Sequence, residues 1–150
     1  MTNPTHKVFL DSSVIIAAVF SETGGSRKLL KLGELGMIHL VVGPHVLREC
    51  ESVVRRKVPD SLPRLAYLLE VARVDTAAAA DEGMIEAARA IVEYLPDAYV
   101  LAEAMGAEAD WFVTHDKEHL LNLRQNLELP FRMGTPGDFI QSLEDELLGE

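Results

Sequence analysis

Short apolar runs alternate along this chain with longer segments in which apolar residues recur every three or four positions. The short runs predict strands at 7–10, 37–42, 73–75, 111–114 and 131–133. The longer segments predict helices at about 12–20, 26–34, 44–58, 60–72, 81–94, 96–105, 117–123 and from 135 onward. Strands and helices that alternate in this way are typical of a parallel sheet with helices on both faces. The predicted fold class is therefore α/β, a three-layer α/β/α arrangement with a central parallel sheet of four to five strands.

The composition is that of a globular protein. At 150 residues, with 48% hydrophobic and 25% charged residues, the chain is predicted to form a single domain over 1–150. It has no run of about 18 apolar residues that could cross a membrane, and its polar first residues do not look like a secretion signal. The single cysteine, Cys50, excludes an internal disulfide and indicates a reducing compartment, so we expect a cytoplasmic protein. Cys50 lies in an apolar helical stripe, which predicts an inert, packed thiol.

The net charge of −10 is unevenly distributed. Residues 1–64 carry a charge of +3 and residues 65–150 a charge of −13. The densest basic group is Arg48, Arg55, Arg56 and Lys57, all on one predicted helix. Two interpretations remain open for it: a solvated helix surface, or a rim that contacts the phosphates of RNA.

Four acidic residues stand at positions that suggest chemistry. Asp11 and Asp116 each follow an apolar strand, at the edge where ligands of α/β folds bind. Asp97 lies in the first turn of a predicted helix, and Glu49 lies beside a buried helical stripe. Two carboxylates 4 Å apart repel by about 1 kcal/mol in water and about 4 kcal/mol at an effective dielectric near 20. Divalent cations remove that repulsion, and all-oxygen ligands suit Mg²⁺ or Mn²⁺ better than zinc.

Each acid taken alone also has a purely structural interpretation. Asp11 and Asp116 could cap the helices that follow them, and Asp97 could interact favourably with the dipole of its own helix. Glu49 could form a salt bridge with Arg48 or another neighbouring arginine. The four acids together, rather than any one of them, predict a metal-dependent hydrolase of phosphodiesters.

The four acids lie in four stretches of the chain, which are Val8-Phe9-Leu10-Asp11-Ser12-Ser13-Val14-Ile15, Gly43-Pro44-His45-Val46-Leu47-Arg48-Glu49, Pro96-Asp97-Ala98-Tyr99-Val100-Leu101-Ala102-Glu103-Ala104 and Ala109-Asp110-Trp111-Phe112-Val113-Thr114-His115-Asp116-Lys117-Glu118. Taken in this order, the stretches resemble the PIN-domain family, the fold of the VapC-like ribonuclease toxins of type II toxin–antitoxin pairs. A further stretch, Thr135-Pro136-Gly137-Asp138-Phe139, resembles the closing strand-to-helix turn of the family.

The resemblance implies a catalytic metal site and a ribonuclease activity. Its expected catalytic and metal-binding residues are Asp11, Glu49, Asp97 and Asp116. Ser13, Thr114 and Glu118 are expected to support that site. The implied enzyme is a Mg²⁺- or Mn²⁺-dependent endoribonuclease that hydrolyses RNA by a two-metal mechanism. The resemblance also implies a homodimer and a small antitoxin protein as partner.

Two departures from the family pattern concern the segment around the last aspartate. His115 stands where the family often has glycine, and Glu118 stands where another aspartate is frequent. His115 and His119 are four residues apart, which could suggest zinc, but no third ligand follows at motif spacing. The competing functional hypothesis is a PIN-like module that binds RNA or a protein partner without cleaving anything.

Overall fold

The computed structural model describes residues 6–149, so the polar residues 1–5 and the last residue lie outside the described part. Within it, one sheet contains five parallel strands in the order β3-β2-β1-β4-β5. The strands are β1 (Lys7–Leu10), β2 (His39–Val42), β3 (Asp75–Thr76), β4 (Trp111–Val113) and β5 (Arg132–Gly134). The structure thus confirms the predicted α/β class with a central parallel sheet.

Helices connect β1 to β2, β2 to β3 and β3 to β4, because parallel strands require a crossover rather than a tight hairpin, and a longer segment of turns connects β4 to β5. The helices are α1 (Ser12–Phe20), α2 (Gly25–Glu34), α3 (Pro44–Lys57), α4 (Leu62–Val71), α5 (Glu82–Arg89), α6 (Leu95–Gly106) and α7 (Pro136–Leu147), with short 3₁₀ turns at Pro59–Ser61 and Leu121–Leu123. Local sequence explains several of their starts. Pro44 occupies the first turn of α3, where its missing N–H costs nothing. Thr135 and Asp138 form a capping box at the start of α7.

The core is built around β1, the middle strand. Phe9 of β1 and Phe112 of β4 are fully buried, and their rings stack with centroids 5.6 Å apart. Leu10 is in register with Val113, so the next residues of the two strands emerge at the same edge of the sheet. The chain winds away from β1 in both directions, which creates the crevice between β1 and β4 where such folds bind ligands. β1 and β4 are therefore neighbours, and the residues that follow them lie side by side.

Several predicted elements have bounds that differ from those observed, and three of these differences have a local cause. The strand predicted at 73–75 begins two residues later, at Asp75. Arg73 adopts a left-handed conformation (φ 57°) after the end of α4, so the extended chain cannot begin there. The helix predicted at 81–94 ends at Arg89, where i→i−3 bonds such as Ile91 N–H to Ala88 C=O tighten the chain. The helix predicted at 117–123 is replaced by turns, since the backbone carbonyl of Asp116 accepts from Leu121 N–H and the chain folds around that residue.

No helix within residues 6–149 has both the length and the apolar character that a membrane span requires.

Candidate acidic active site

Asp11 is the buried centre of the candidate site. It directly follows β1, and only 6% of it is exposed. Its Oδ2 atom accepts hydrogen bonds from Thr114 Oγ1 at 2.7 Å and from Ser13 Oγ at 2.9 Å. Burial raises the pKa of Asp11 above its ordinary value, although the hydrogen bonds from Thr114 and Ser13 oppose this increase. A carboxylate buried in this way lowers the stability of the folded state unless it is paired with a positive charge or bound to a metal ion.

Thr114 connects two of the acids. Its hydroxyl donates to Asp11 and also accepts a hydrogen bond from the backbone N–H of Asp116 at 3.0 Å. The side chain of Thr114 is fully buried, so its orientation is fixed by these contacts and by the packing around it. The supporting role predicted for Thr114 therefore has a definite geometry: one hydroxyl sets the position of Asp11 relative to Asp116. Ser13 contributes in the same way, since its hydroxyl accepts from His115 N–H at 3.0 Å.

Asp97, at the start of α6, is the acid with an unsatisfied oxygen. Its Oδ2 atom is buried and has no hydrogen-bond partner among residues 6–149. Desolvation raises the pKa of Asp97, and the negative charges of Asp116, Asp11 and Glu49 raise it further, while His119 lowers it. Asp97 therefore lies close enough to the other three carboxylates for their charges to act on it, although the four acids come from four separate segments of the chain.

Glu49 and Asp116 complete the group. Glu49 lies on α3, and its Oε1 atom accepts a hydrogen bond from Ser12 Oγ, the first residue of α1. Asp116 Oδ1 accepts from the backbone N–H of His119 at 3.0 Å and lies 3.4 Å from the Nδ1 atom of that ring. Together with Asp11 and Asp97, these two acids line one cavity of about 370 Å³. The structure thus brings all four predicted acids to a single cavity at the carboxyl ends of β1 and β4.

The donor chemistry fits a hard divalent cation, but the side chains are not gathered into a finished ligand set. Within the described residues, no three Asp, Glu, His or Cys side chains are arranged so that they could hold a metal ion as they stand. Two of the acids are hydrogen-bonded to protein partners, Glu49 to Ser12 and Asp116 to the backbone of His119. The four acids supply carboxylate oxygens, which are the ligands that Mg²⁺ and Mn²⁺ prefer, and the Oδ2 atom of Asp97 has no partner among residues 6–149.

The two histidines do not form the suggested zinc site. The Nε2 atom of His115 lies 3.1 Å from Ser26 Oγ, and His119 is paired with Asp116. Ser26 lies in the first turn of α2, which begins at Gly25 after Gly24 in a φ 99° conformation.

The predicted basic group divides into two parts. Arg48 and Arg56 line a second cavity of about 450 Å³ that shares Asp11 and Glu49 with the first. Arg55 lines a different, mainly apolar groove beside α4. The division follows from helical geometry: Arg56 lies four residues after Ser52, on the face of α3 that lines the second cavity, whereas Arg55 lies four residues after Glu51, which lines the groove. Two further predicted residues, Lys57 and Glu118, are exposed, and neither lines these two acidic cavities.

Glu103 is a buried acid that the sequence analysis did not single out. Only 4% of it is exposed, and both its carboxylate oxygens lie within 3.3 Å of the backbone N–H of His45 in the first turn of α3. Burial raises the pKa of Glu103, and the hydrogen bond from His45 and the positive charge of Arg48 oppose this increase. Glu103 therefore ties α6, which carries Asp97, to the helix that carries Glu49.

The close approach of Glu103 requires a glycine on the other side. A Cβ atom at Gly43 would collide with the Glu103 carboxylate, so position 43 has no room for a side chain. The sequence signal for this contact was an acid within the apolar run Ala102-Glu103-Ala104, together with a glycine directly after β2.

Comparison with known proteins places this arrangement in a family. Residues 7–118 match the family model described as "PIN domain". A chain in the solved structure of VapBC2 from Rickettsia felis, bound to a DNA fragment from their promoter, has a similar fold, with a TM-score of 0.64, 12% sequence identity, and coverage of 85% of this chain and 96% of that chain. No curated protein sequence gives a significant match. The matched region contains all four acids of the cavity, and the chain belongs to the PIN-domain family.

Proposed function

We propose that this protein is a divalent-metal-dependent endoribonuclease. The observation that carries the proposal is the convergence of four carboxylates on one cavity, with a buried Asp97 oxygen that no residue among 6–149 satisfies. Such a group is destabilising in itself, and acidic clusters with raised pKa values are typical of functional sites.

The residues that would hold Mg²⁺ or Mn²⁺ are Asp11, Glu49, Asp97 and Asp116. Such ions supply a nucleophilic hydroxide at neutral pH and stabilise charge on a phosphodiester, alone or as a pair. The protein supplies the positioning. Thr114 and Ser13 hold Asp11 in one orientation, and the flanking Arg48 and Arg56 offer positive charge for the phosphates on either side of the scissile bond.

The biological role that we propose is the toxin of a toxin–antitoxin pair in the cytoplasm. The family and the similarity in fold to a chain of the VapBC2 structure support this role. A small antitoxin protein would be the partner, and a homodimer of single-domain chains, each spanning 1–150, would be the assembly. The toxin role predicts that expression of the chain alone slows the growth of a bacterial host, and that co-expression of its antitoxin restores growth.

The activity is tested with purified protein and a labelled single-stranded RNA. Wild type should cleave in Mn²⁺ or Mg²⁺ and stop when EDTA is added. Asp11→Asn and Asp97→Asn should abolish cleavage while circular dichroism shows an unchanged fold. Asp60→Asn is the matched control, because Asp60 is an exposed acid that lines neither of the two acidic cavities. It should cleave like wild type. Equal cleavage by all four proteins would refute the assignment.

A second function, binding of RNA or protein without cleavage, is favoured by one observation: the acids are not gathered into a ready metal site within the described residues. A titration of Mn²⁺ against thermal stability separates the two functions. A ligand at 100 times its dissociation constant stabilises the folded state by about 2.7 kcal/mol. A nuclease site should show a rise in melting temperature with Mn²⁺ that Asp97→Asn removes, whereas a binding module should show none.

A further inference from the structure

An exposed aromatic side chain borders the acidic site. The Tyr94 side chain is 61% exposed, and it lines both the cavity that holds the four acids and the adjoining cavity that holds Arg48 and Arg56. Single exposed apolar residues are common on protein surfaces and need no explanation. The position of Tyr94, where the acidic and basic parts of the cleft meet, is what gives it significance.

Tyr94 has a defined position at the start of helix α6. Tyr94 is the residue that precedes α6, and its carbonyl accepts the hydrogen bond of Ala98 N–H at 3.1 Å. Pro96 and Asp97 follow in the first turn, so the tyrosine is fixed only three residues from the unsatisfied acid. Its ring lies beside the imidazole of His119, with centroids 6.3 Å apart and planes inclined by 33°. A tyrosine has only two side-chain torsions, so its ring loses little conformational freedom when a ligand stacks on it.

The surroundings match the chemistry of a single nucleic-acid strand. Phosphates need positive charge, which Arg48 and Arg56 provide on the α3 side of the cleft. Unpaired bases are commonly bound by stacking on aromatic side chains, and this stacking tolerates any base. A base inside a duplex has both faces covered by its neighbours, so an exposed tyrosine ring favours unpaired nucleotides.

We propose that Tyr94 is a stacking platform for an unpaired base next to the phosphodiester that enters the acidic cavity. This inference rests on the proposed function, because it assigns a substrate-binding residue to the same cleft.

The experiment compares substitutions of two tyrosines with similar exposure. Tyr94→Leu removes the aromatic face, Tyr94→Phe keeps it, and Tyr67→Leu is the control, since Tyr67 is 63% exposed and lines a separate groove between α2 and α4. Binding of a labelled single-stranded RNA is measured by fluorescence anisotropy in EDTA, where cleavage is absent, and KM and kcat are measured in Mn²⁺. Loss of one stacked base corresponds to binding weaker by roughly 5- to 150-fold.

The expected result is a loss of that size for Tyr94→Leu, expressed in Kd and KM rather than in kcat, with Tyr94→Phe and Tyr67→Leu close to wild type. A single abasic nucleotide beside the cleavage position should weaken binding to wild type by a similar factor and should have little further effect on Tyr94→Leu. Fully duplex RNA should bind wild type and Tyr94→Leu equally.

Two results would overturn the inference. Equal RNA binding by Tyr94→Leu and Tyr67→Leu would show that the ring does not contact the substrate. A reduced molecular mass of Tyr94→Leu in light scattering would assign the residue to a protein interface instead. The proposed function is judged separately: if wild type binds single-stranded RNA through Tyr94 but cleaves nothing in Mn²⁺, the stacking inference stands and the nuclease proposal fails. If wild type cleaves and Tyr94→Leu changes neither Kd nor KM, only the stacking inference fails.

Discussion

Replacement of Asp97 by asparagine should make the protein inactive and more stable. The buried Oδ2 atom of this carboxylate has no partner among the described residues, and burial together with the charges of three other acids raises its pKa. Asparagine has nearly the same shape and carries no charge. The substitution therefore removes an unfavourable charge from the folded state without leaving a cavity.

The size of the gain in stability depends on two effects that make the Asp97 carboxylate unfavourable and on one effect that makes it favourable. A buried polar atom without a partner costs about 1–3 kcal/mol, and a charged one costs more than a neutral one. Repulsion between two carboxylates 4 Å apart ranges from about 1 kcal/mol in water to about 4 kcal/mol at an effective dielectric near 20. Against these, Asp97 lies in the first turn of α6, where the helix dipole favours a negative charge by about 0.3–1 kcal/mol. We expect a net gain of about 1–2 kcal/mol for Asp97→Asn, which for a chain of this length corresponds to about 2–8 °C in melting temperature.

The pH dependence gives the sharper test. Since the folded-state pKa of Asp97 lies above its unfolded value, the ionised group lowers stability at every pH above that folded-state pKa. As the pH falls through the folded-state pKa toward the ordinary aspartate value of about 4, wild type takes up the proton and this cost disappears. The stability difference between Asp97→Asn and wild type should therefore be largest at neutral pH and should shrink on acidification.

The assay is thermal unfolding followed by tryptophan fluorescence in EDTA, over about pH 4 to 8. Asp60→Asn is the matched control, because it removes an exposed acid and should bring no gain in melting temperature. A destabilised Asp97→Asn protein at neutral pH, or a gain that does not change with pH, would show that the reasoning about this carboxylate is wrong.

Three further predictions concern the support of the site and the core. Thr114→Val should lower the free energy of unfolding in urea by about 1–3 kcal/mol, since it removes the donor to Asp11 and leaves a backbone N–H without its acceptor, while Thr114→Ser should retain most of the stability. Gly43→Ala should lower it by about 1–3 kcal/mol, because the new methyl group collides with Glu103, and an unchanged urea midpoint would contradict that contact. Burial raises the pKa of Cys50 to about 12, so native protein at about pH 8 should resist a thiol reagent and react only after unfolding.

The sequence was sufficient to predict the parts of the site that depend on strand ends. Asp11 follows an apolar run that was predicted to be a strand, and the predicted parallel sheet then placed it at the ligand-binding edge. The position of Asp116 followed from the same reasoning on β4. The adjacency of β1 and β4 is known from the structure, since periodicity carries no information about strand order.

What the sequence did not predict depends on contacts between distant elements. Glu103 looked like an ordinary helix position, and its role became visible only when the N-terminus of α3 was seen beside it. Ser12 appeared to be a simple helix start, yet its hydroxyl contacts Glu49, 37 positions away. The strand predicted at 73–75 shifted because Arg73 adopts a left-handed backbone conformation that non-glycine residues rarely adopt, so no propensity rule anticipates it.

The two outer strands have a consequence for how this protein meets other chains. β3 has two residues and β5 has three, and each carries a charged residue, Asp75 and Arg132. Such short, charged borders present few free backbone groups, so an incoming peptide has almost no template on which to extend the sheet. Because the outer strands are short, they also offer other copies of the protein little backbone with which to pair edge to edge. Recognition by any other macromolecule must then rely on side chains displayed by helices and loops.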